Sequence, residues 1–247
     1  MTGVVRVAAV GDIHLGPDSR GLLRPAYEAL ADEADVLLLA GDLTRHGTAE
    51  EARVVAGEVR DLGLPVLAVL GNHDHHADQA ASVAQVLAAE GSVTVLEGSG
   101  ATVSAGSLTL GVAGTKGFGG GFAGRCGSEF GETEMKAFIG CSRRLADGLG
   151  AALAGLDGCD VKVALTHYSP VADTLLGEPP EIYPFLGSYL LAEAIDGGGA
   201  DLAVHGHAHA GTERGLTSGG VHVRNVAQPV IRHAFALYEL HPSRVAR

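Results

Sequence analysis

Short apolar runs that stop on glycine dominate the first third of the chain. Val4 to Val10 ends in Gly11-Asp12, Asp35 to Ala40 in Gly41-Asp42, and Pro65 to Leu70 in Gly71-Asn72. Between them lie Ala- and Leu-rich stretches, Arg24 to Ala34 and Thr48 to Leu62, with helical spacing. The runs are continuous rather than alternating in polarity. Their strands are therefore covered on both faces, as in sheets built from alternating strands and helices.

From Val93 to Ala113 the pattern changes to short β-type runs separated by Gly and Ser, which predicts antiparallel strands joined by turns. A glycine-rich stretch, Gly114 to Gly131, precedes a long helix predicted over Glu132 to Leu156. Its acids lie near the start and Arg143 and Arg144 further along, in keeping with the helix dipole. Val161 to Leu165 and Asp201 to Val204 read as buried strands leading to His167 and His205. A Pro-containing loop and a helix, Ser188 to Ile195, lie between them, and Val221 to Val226 and Ala234 to Leu240 read as closing strands. No linker or charge block interrupts the pattern, so residues 1–247 are read as one α/β domain.

The composition fits that reading: of 247 residues 46% are apolar and 19% charged, enough for one large core without disulfides. Cys126, Cys141 and Cys159 are odd in number and widely spaced, and are read as reduced bystanders. The longest apolar run, Val36 to Ala40, falls far short of the ~20 residues a membrane span needs, and the N-terminus lacks a targeting pattern. A soluble cytoplasmic protein is expected, with no membrane partner. Seventeen basic against 29 acidic residues give a net charge of −12, which argues against nucleic acid as a partner. Bound cations would still make the field positive locally, so the charge does not exclude a phosphate substrate.

Five loops, each following a predicted strand, carry Asp12 and His14, Asp42, Asn72 and His73, His167, and His205 and His207. Singly, Asp12 or Asp42 reads as a helix cap or turn residue, Asn72 as a left-handed turn, and each histidine as a polar surface or core residue. Together they share one edge, because residues just past the carboxyl ends of parallel strands converge. Imidazole with carboxylate and amide oxygen suits Mn, Fe or Zn. Asp12, Asp42 and Asn72 with His14, His167, His205 and His207 exceed what one four-coordinate ion uses, so two ions are implied. A carboxylate can bridge two ions, and a separation of about 3.5–4 Å suits in-line phosphoryl displacement.

Gly11-Asp12-Ile13-His14, Gly41-Asp42, Gly71-Asn72-His73-Asp74, His167, and Gly206 flanked by His205 and His207 resemble the motif blocks of the calcineurin-like metallophosphoesterase superfamily, in order. The resemblance implies a two-sheet sandwich flanked by helices, in four layers α/β/β/α. It places Asp12, His14 and His207 on one metal ion, Asn72, His167 and His205 on a second, and Asp42 between them. A metal-bridging hydroxide would attack phosphorus in line with the leaving group. His73 would face the substrate and protonate the leaving oxygen, with Asp74 orienting its ring. The expected activity is hydrolysis of a small phosphate ester, as a phosphodiesterase or phosphomonoesterase. Nucleotide pyrophosphatase, protein phosphatase and nuclease activities, or a catalytically silent metal-binding scaffold, are the alternatives.

Several residues lie outside the blocks. His75, His76 and His209 extend them, and His46 is similarly placed. Arg45, three residues past Asp42, is a candidate phosphate contact, as is Arg214. The stretch Lys116 to Phe122 reads as a close backbone approach to phosphate, a lid, or a tight connection.

Overall fold

A computed structural model describes residues 3–242. In chain order the strands are β1 Val5–Val10, β2 Val36–Ala40, β3 Val66–Val69, β4 Val93–Val95, β5 Ser99–Ala105, β6 Leu108–Thr115 and β7 Gly121–Phe122. There follow β8 Arg125–Cys126, β9 Val161–Thr166, β10 Leu202–His205, β11 Arg214–Leu216, β12 His222–Asn225 and β13 Ala236–Leu240. The helices are α1 Arg24–Tyr27, α2 Leu30–Glu33, α3 Ala49–Val59, α4 Ala80–Gly91, α5 Thr133–Ala154, α6 Tyr183–Leu186, α7 Tyr189–Gly198 and α8 Gln228–Ile231.

Two sheets carry the fold. The first has the order β13-β1-β2-β3-β4 and the second β11-β12-β10-β9-β6-β5, while β7 and β8 form a separate hairpin. Strands β1 to β4 run parallel, as do β6, β9, β10 and β12, and the antiparallel pairs lie at the edges. The pleat sorts each continuous apolar strand onto two faces. Val36, Leu38 and Ala40 of β2 meet Val163 and Leu165 of β9 between the sheets, whereas Leu37 and Leu39 face the helices. Leu149 and Leu153 of α5 cover the outer face of the second sheet with Ile195 of α7. The expected four layers are present.

Local signals set the helix limits. Thr48 Oγ1 accepts the Glu51 amide at 3.2 Å and Glu51 Oε2 accepts the Thr48 amide at 3.4 Å, a reciprocal cap that starts α3. Ser188 caps α7, which ends at Gly199 with φ 64°. The stretch Arg24 to Ala34 forms two short helices rather than one, broken at Ala29, which leaves helical geometry. The long helix is observed at Thr133–Ala154.

The segment before α1 is fastened by one buried acid. The Glu58 carboxylate, 2% exposed, accepts the amides of Gly21, Leu23 and Arg24 at 2.5, 2.9 and 2.6 Å. Its removal leaves those donors unpaired, two of them in a partly buried setting. Glu58→Ala should therefore lower unfolding stability by about 2–4 kcal/mol in urea titrations. A change below about 0.5 kcal/mol would contradict this account of the segment.

Candidate metal centre

The carboxyl ends of β1, β2 and β3 meet those of β9 and β10 at one edge. His167 Nδ1 donates to the Ala40 carbonyl at 2.9 Å, the Gly206 amide to the His167 carbonyl at 3.2 Å, and the Gly11 amide to the Val226 carbonyl at 2.9 Å. Asp12, His14, Asp42 and His207 have φ of 56°, 42°, 51° and 69°. Four side-chain-bearing residues in the left-handed region at one place is backbone strain held by its surroundings, a pattern that clusters at functional sites. The glycines make room. A Cβ on Gly71 would overlap Asp42 Oδ1, and one on Gly206 would overlap Asp12 Oδ2.

Two groups of donors result. Asp12, His14, Asp42 and His209 offer atoms that all lie within 4.8 Å of one another, and so do Asp42, His167 and His207. Asp42 belongs to both. Asn72 Oδ1 lies 2.9 Å from His167 Nε2 and so joins the second group.

The donor chemistry fits cations. His14 Nε2 is buried and has no hydrogen-bond partner among the described residues, 3.9 Å from Asp42 Oδ2. Burial pushes the His14 imidazole down to about 4 and that of His207 to about 3, and holds His167 well below the usual histidine range. These rings are neutral at pH 7, with a free lone pair each. Because His167 Nδ1 carries the proton given to Ala40, its Nε2 is an acceptor, yet it faces Asp42 Oδ1 at 3.3 Å. Two acceptors turned toward each other are reconciled by a positive ion between or beside them. Burial also raises Asp12 to about 6, against the pull of its hydrogen bond from His209; a neighbouring cation would lower it.

The histidines around Gly206 are placed differently from one another. His205 is fully buried and belongs to neither group: its Nδ1 donates to the Gly206 carbonyl at 2.7 Å and its Nε2 meets Thr174 Oγ1 at 2.8 Å. His207 lies with Asp42 and His167 rather than with Asp12 and His14. Its amide donates to both Asp12 oxygens, and its Nε2 is 3.3 Å from the Phe185 carbonyl. His209 takes the place expected for His207, with Nε2 2.9 Å from Asp12 Oδ1. The signal was present. In the first three blocks the metal-type residue follows a glycine, and the same rule selects His207 after Gly206, leaving His205 as the last residue of β10.

Asp74 engages backbone groups of two loops. Its buried carboxylate accepts the amides of Leu43, Thr44 and Gly71 at 3.2, 2.8 and 2.8 Å and the Thr44 hydroxyl at 2.6 Å, tying the loop after β2 to the loop after β3. The residue that orients His73 is Arg45, whose carbonyl accepts from His73 Nδ1 at 2.9 Å. His73 Nε2 is left facing the centre, 4.0 Å from Asp42 Oδ2. The Arg45 guanidinium pairs with the exposed Asp18 at 2.9 Å, and its charge reaches His14 at the centre. His46 Nδ1 pairs with Glu51, and neither His75 nor His76 joins a donor group.

The glycine-rich stretch packs against residues 184–187. Gly120 N donates to the Pro184 carbonyl at 2.6 Å and Gly121 N to that of Gly187 at 2.9 Å. The seat they make holds rings beside the centre. Tyr168 lies 4.4 Å from the His207 ring and 5.7 Å from Phe118, and Phe138 lies between Phe118 and Phe185.

A mixed sandwich with strained, histidine-rich loops along one edge defines a metal-binding hydrolase architecture. The model of the calcineurin-like phosphoesterase family matches residues 5–211, and the chain belongs to that family, a class of metal-dependent phosphoester hydrolases. A probable cyclic nucleotide phosphodiesterase of Fibrobacter succinogenes is 27% identical over 81 residues, which cover 29% of this chain and about a third, 32%, of that relative. Among solved structures, a phosphopantetheinyl hydrolase from Mycobacterium tuberculosis superposes with TM-score 0.68 at 15% identity, covering 100% of this chain and 99% of that one. A putative 5′-nucleotidase from Staphylococcus aureus superposes with TM-score 0.58 at 15% identity, over 90% of this chain and 48% of that one. At these identities the superpositions establish the fold. No helix among the described residues is long and apolar enough to cross a membrane.

The geometry separates two adjacent histidine roles. Manganese titration of His205→Gln should retain the full stoichiometry of the parent protein, with the cost appearing as a lower melting temperature. His209→Ala should bind manganese at least about tenfold more weakly. The reverse pattern would restore His205 as a ligand.

Proposed function

We propose that the chain is a dinuclear-metal hydrolase of small phosphate esters, working as a single phosphoesterase domain. Asp12, His14, Asp42 and His209 would hold one ion, and Asp42, Asn72, His167 and His207 the other. The observation that carries this reading is the sharing of Asp42 by two donor groups in which burial keeps His14, His167 and His207 neutral. The donor set suits Mn, Fe or Zn. Two such ions, when bound, polarise phosphoryl oxygens and lower the pKa of water at the site.

The chain's own residues supply the remainder. Asp42 keeps its position because its Oδ1 accepts the His73 amide at 2.8 Å. His73, with Nδ1 committed to Arg45, presents Nε2 to the substrate face and is placed to hand a proton to the leaving oxygen. Asp74 serves that geometry indirectly, by fixing the two loops that carry Asp42 and His73. The names of the relatives, a cyclic nucleotide phosphodiesterase, a nucleotidase and a phosphopantetheinyl hydrolase, support small phosphorylated molecules as the substrate class. The free cysteines suit a cytoplasmic setting.

Metal-stripped protein should be inactive on p-nitrophenyl phosphate and bis(p-nitrophenyl) phosphate, and manganese should restore turnover. His73→Ala should lower kcat by about 10²–10⁴-fold with metal content unchanged. Full activity in the stripped protein would refute the metal-dependent reading, and full activity without His73 would refute its role as proton donor.

A further inference from the structure

We propose that Lys116 is the anion-reading residue of this site and makes it favour doubly charged phosphomonoesters over singly charged diesters; the inference rests on the phosphoesterase reading above. The residue follows directly on β6. Its carbonyl accepts the amides of His167 and Tyr168, both at 3.1 Å, so its backbone is tied to the same loop that carries a candidate metal ligand. The ammonium lies over two rings, 4.8 Å from the centroid of Phe118 and 5.3 Å from that of Tyr168. Tyr168 in turn packs on His207. The side chain is therefore held beside the centre by a rigid aromatic support.

Lys116 is half-buried over two rings with no direct partner at Nζ, whereas Arg45 pairs with Asp18, Arg53 with Glu90, Arg143 with Glu129 and Lys162 with Asp157. Among the described residues, no hydrogen bond or ion pair reaches Lys116 Nζ. Glu97, the nearest acid by its effect on the lysine, spends its carboxylate on the Thr115 hydroxyl and the Lys116 amide. Withdrawal from water lowers the lysine from its usual value, and its charge is felt by Asp42, His75 and His167. A half-buried ammonium over aromatic faces, acted on by Glu97 and Asp42 but in direct contact with neither, and at the edge of a phosphoesterase centre, is completed by an anionic oxygen of the substrate.

The charge dependence gives a sharp expectation. Coulomb energy scales with the product of charges, so one cation acts twice as strongly on a dianion as on a monoanion at the same distance. Removing it costs the dianion the square of the factor it costs the monoanion. A tenfold loss for a monoester thus goes with a loss of about threefold for a diester.

The test uses manganese-loaded parent protein, Lys116→Met and Lys116→Arg, with metal content measured in each. In Lys116→Met, the dissociation constant of inorganic phosphate from calorimetry at pH 8 and the KM for p-nitrophenyl phosphate should rise about tenfold. KM for bis(p-nitrophenyl) phosphate should rise about threefold, and Lys116→Arg, which keeps the charge, should lie closer to the parent than Lys116→Met on all three. Unchanged phosphate affinity in Lys116→Met, with manganese-dependent turnover intact, overturns the assignment and leaves the phosphoesterase reading standing. Equal losses for both esters also overturn it, since packing rather than charge would then be at work. A parent protein that turns over neither ester with metal bound refutes the phosphoesterase reading instead, and with it the substrate preference drawn here.

Discussion

The Asp42 carboxylate is the point on which the site turns. It is 1% exposed, and the surrounding groups closest to it are imidazoles that burial keeps neutral. A second carboxylate, Asp12, is buried nearby and is close enough to raise the cost of charging both. Burying two acids among neutral rings leaves negative charge that the described cationic groups nearby, His209 at Asp12 and Lys116 near Asp42, offset only in part. The arrangement is coherent as a cation receptacle, and as little else. The positive φ values at Asp12, His14, Asp42 and His207 are then intelligible as strain that aims donors into a common space.

That strain is contained by the surrounding network. Asp74 binds the loop after β2 to its own loop after β3 with three hydrogen bonds, and the Ala40 carbonyl fixes the tautomer of His167 across the junction between the sheets. The two sheets are packed through Leu38, Val69, Val163 and Leu165, so their strand ends have little freedom to separate. Fold stability and site geometry therefore share the same contacts.

Most of the framework was legible in the sequence because its signals are local. Continuous apolar strands ending in glycine located β1, β2 and β3 and placed Asp12, Asp42 and Asn72 at one edge. The helical spacing from Thr48 to Leu62 and the acid-to-basic order of the long helix located α3 and α5 closely. What was not legible depends on which way a side chain turns at a strand end. His205, His207 and His209 alternate along a few residues, and composition treats them alike; only the departure of the chain from β10 at Gly206 sends the first inward to Thr174 and the other two toward the acids. Asp74 adjoins His73 in sequence, but the tight turn formed by His73–His75 points the carboxylate to the backbone of Thr44. Adjacent positions in a turn seldom face one another, so sequence neighbourhood was a poor guide to pairing.

The halves of the molecule divide the work unequally, and this explains why substrate is harder to read than chemistry. The first sheet contributes short motif loops in which Asp12, His14, Asp42 and Asn72 face the centre and Asp74 pins two of the loops together. The second contributes histidines set into longer segments, where Tyr168, Phe118 and Phe185 form a wall and the Phe185 carbonyl reaches His207. The wall depends on glycines that pack against residues 184–187, contacts that join segments far apart in the chain. A phosphorus centre needs the same donors whatever group it carries, and those donors recur with fixed spacing. The organic part of a substrate meets the wall, whose shape arises from long-range packing and leaves no comparable trace in residue order.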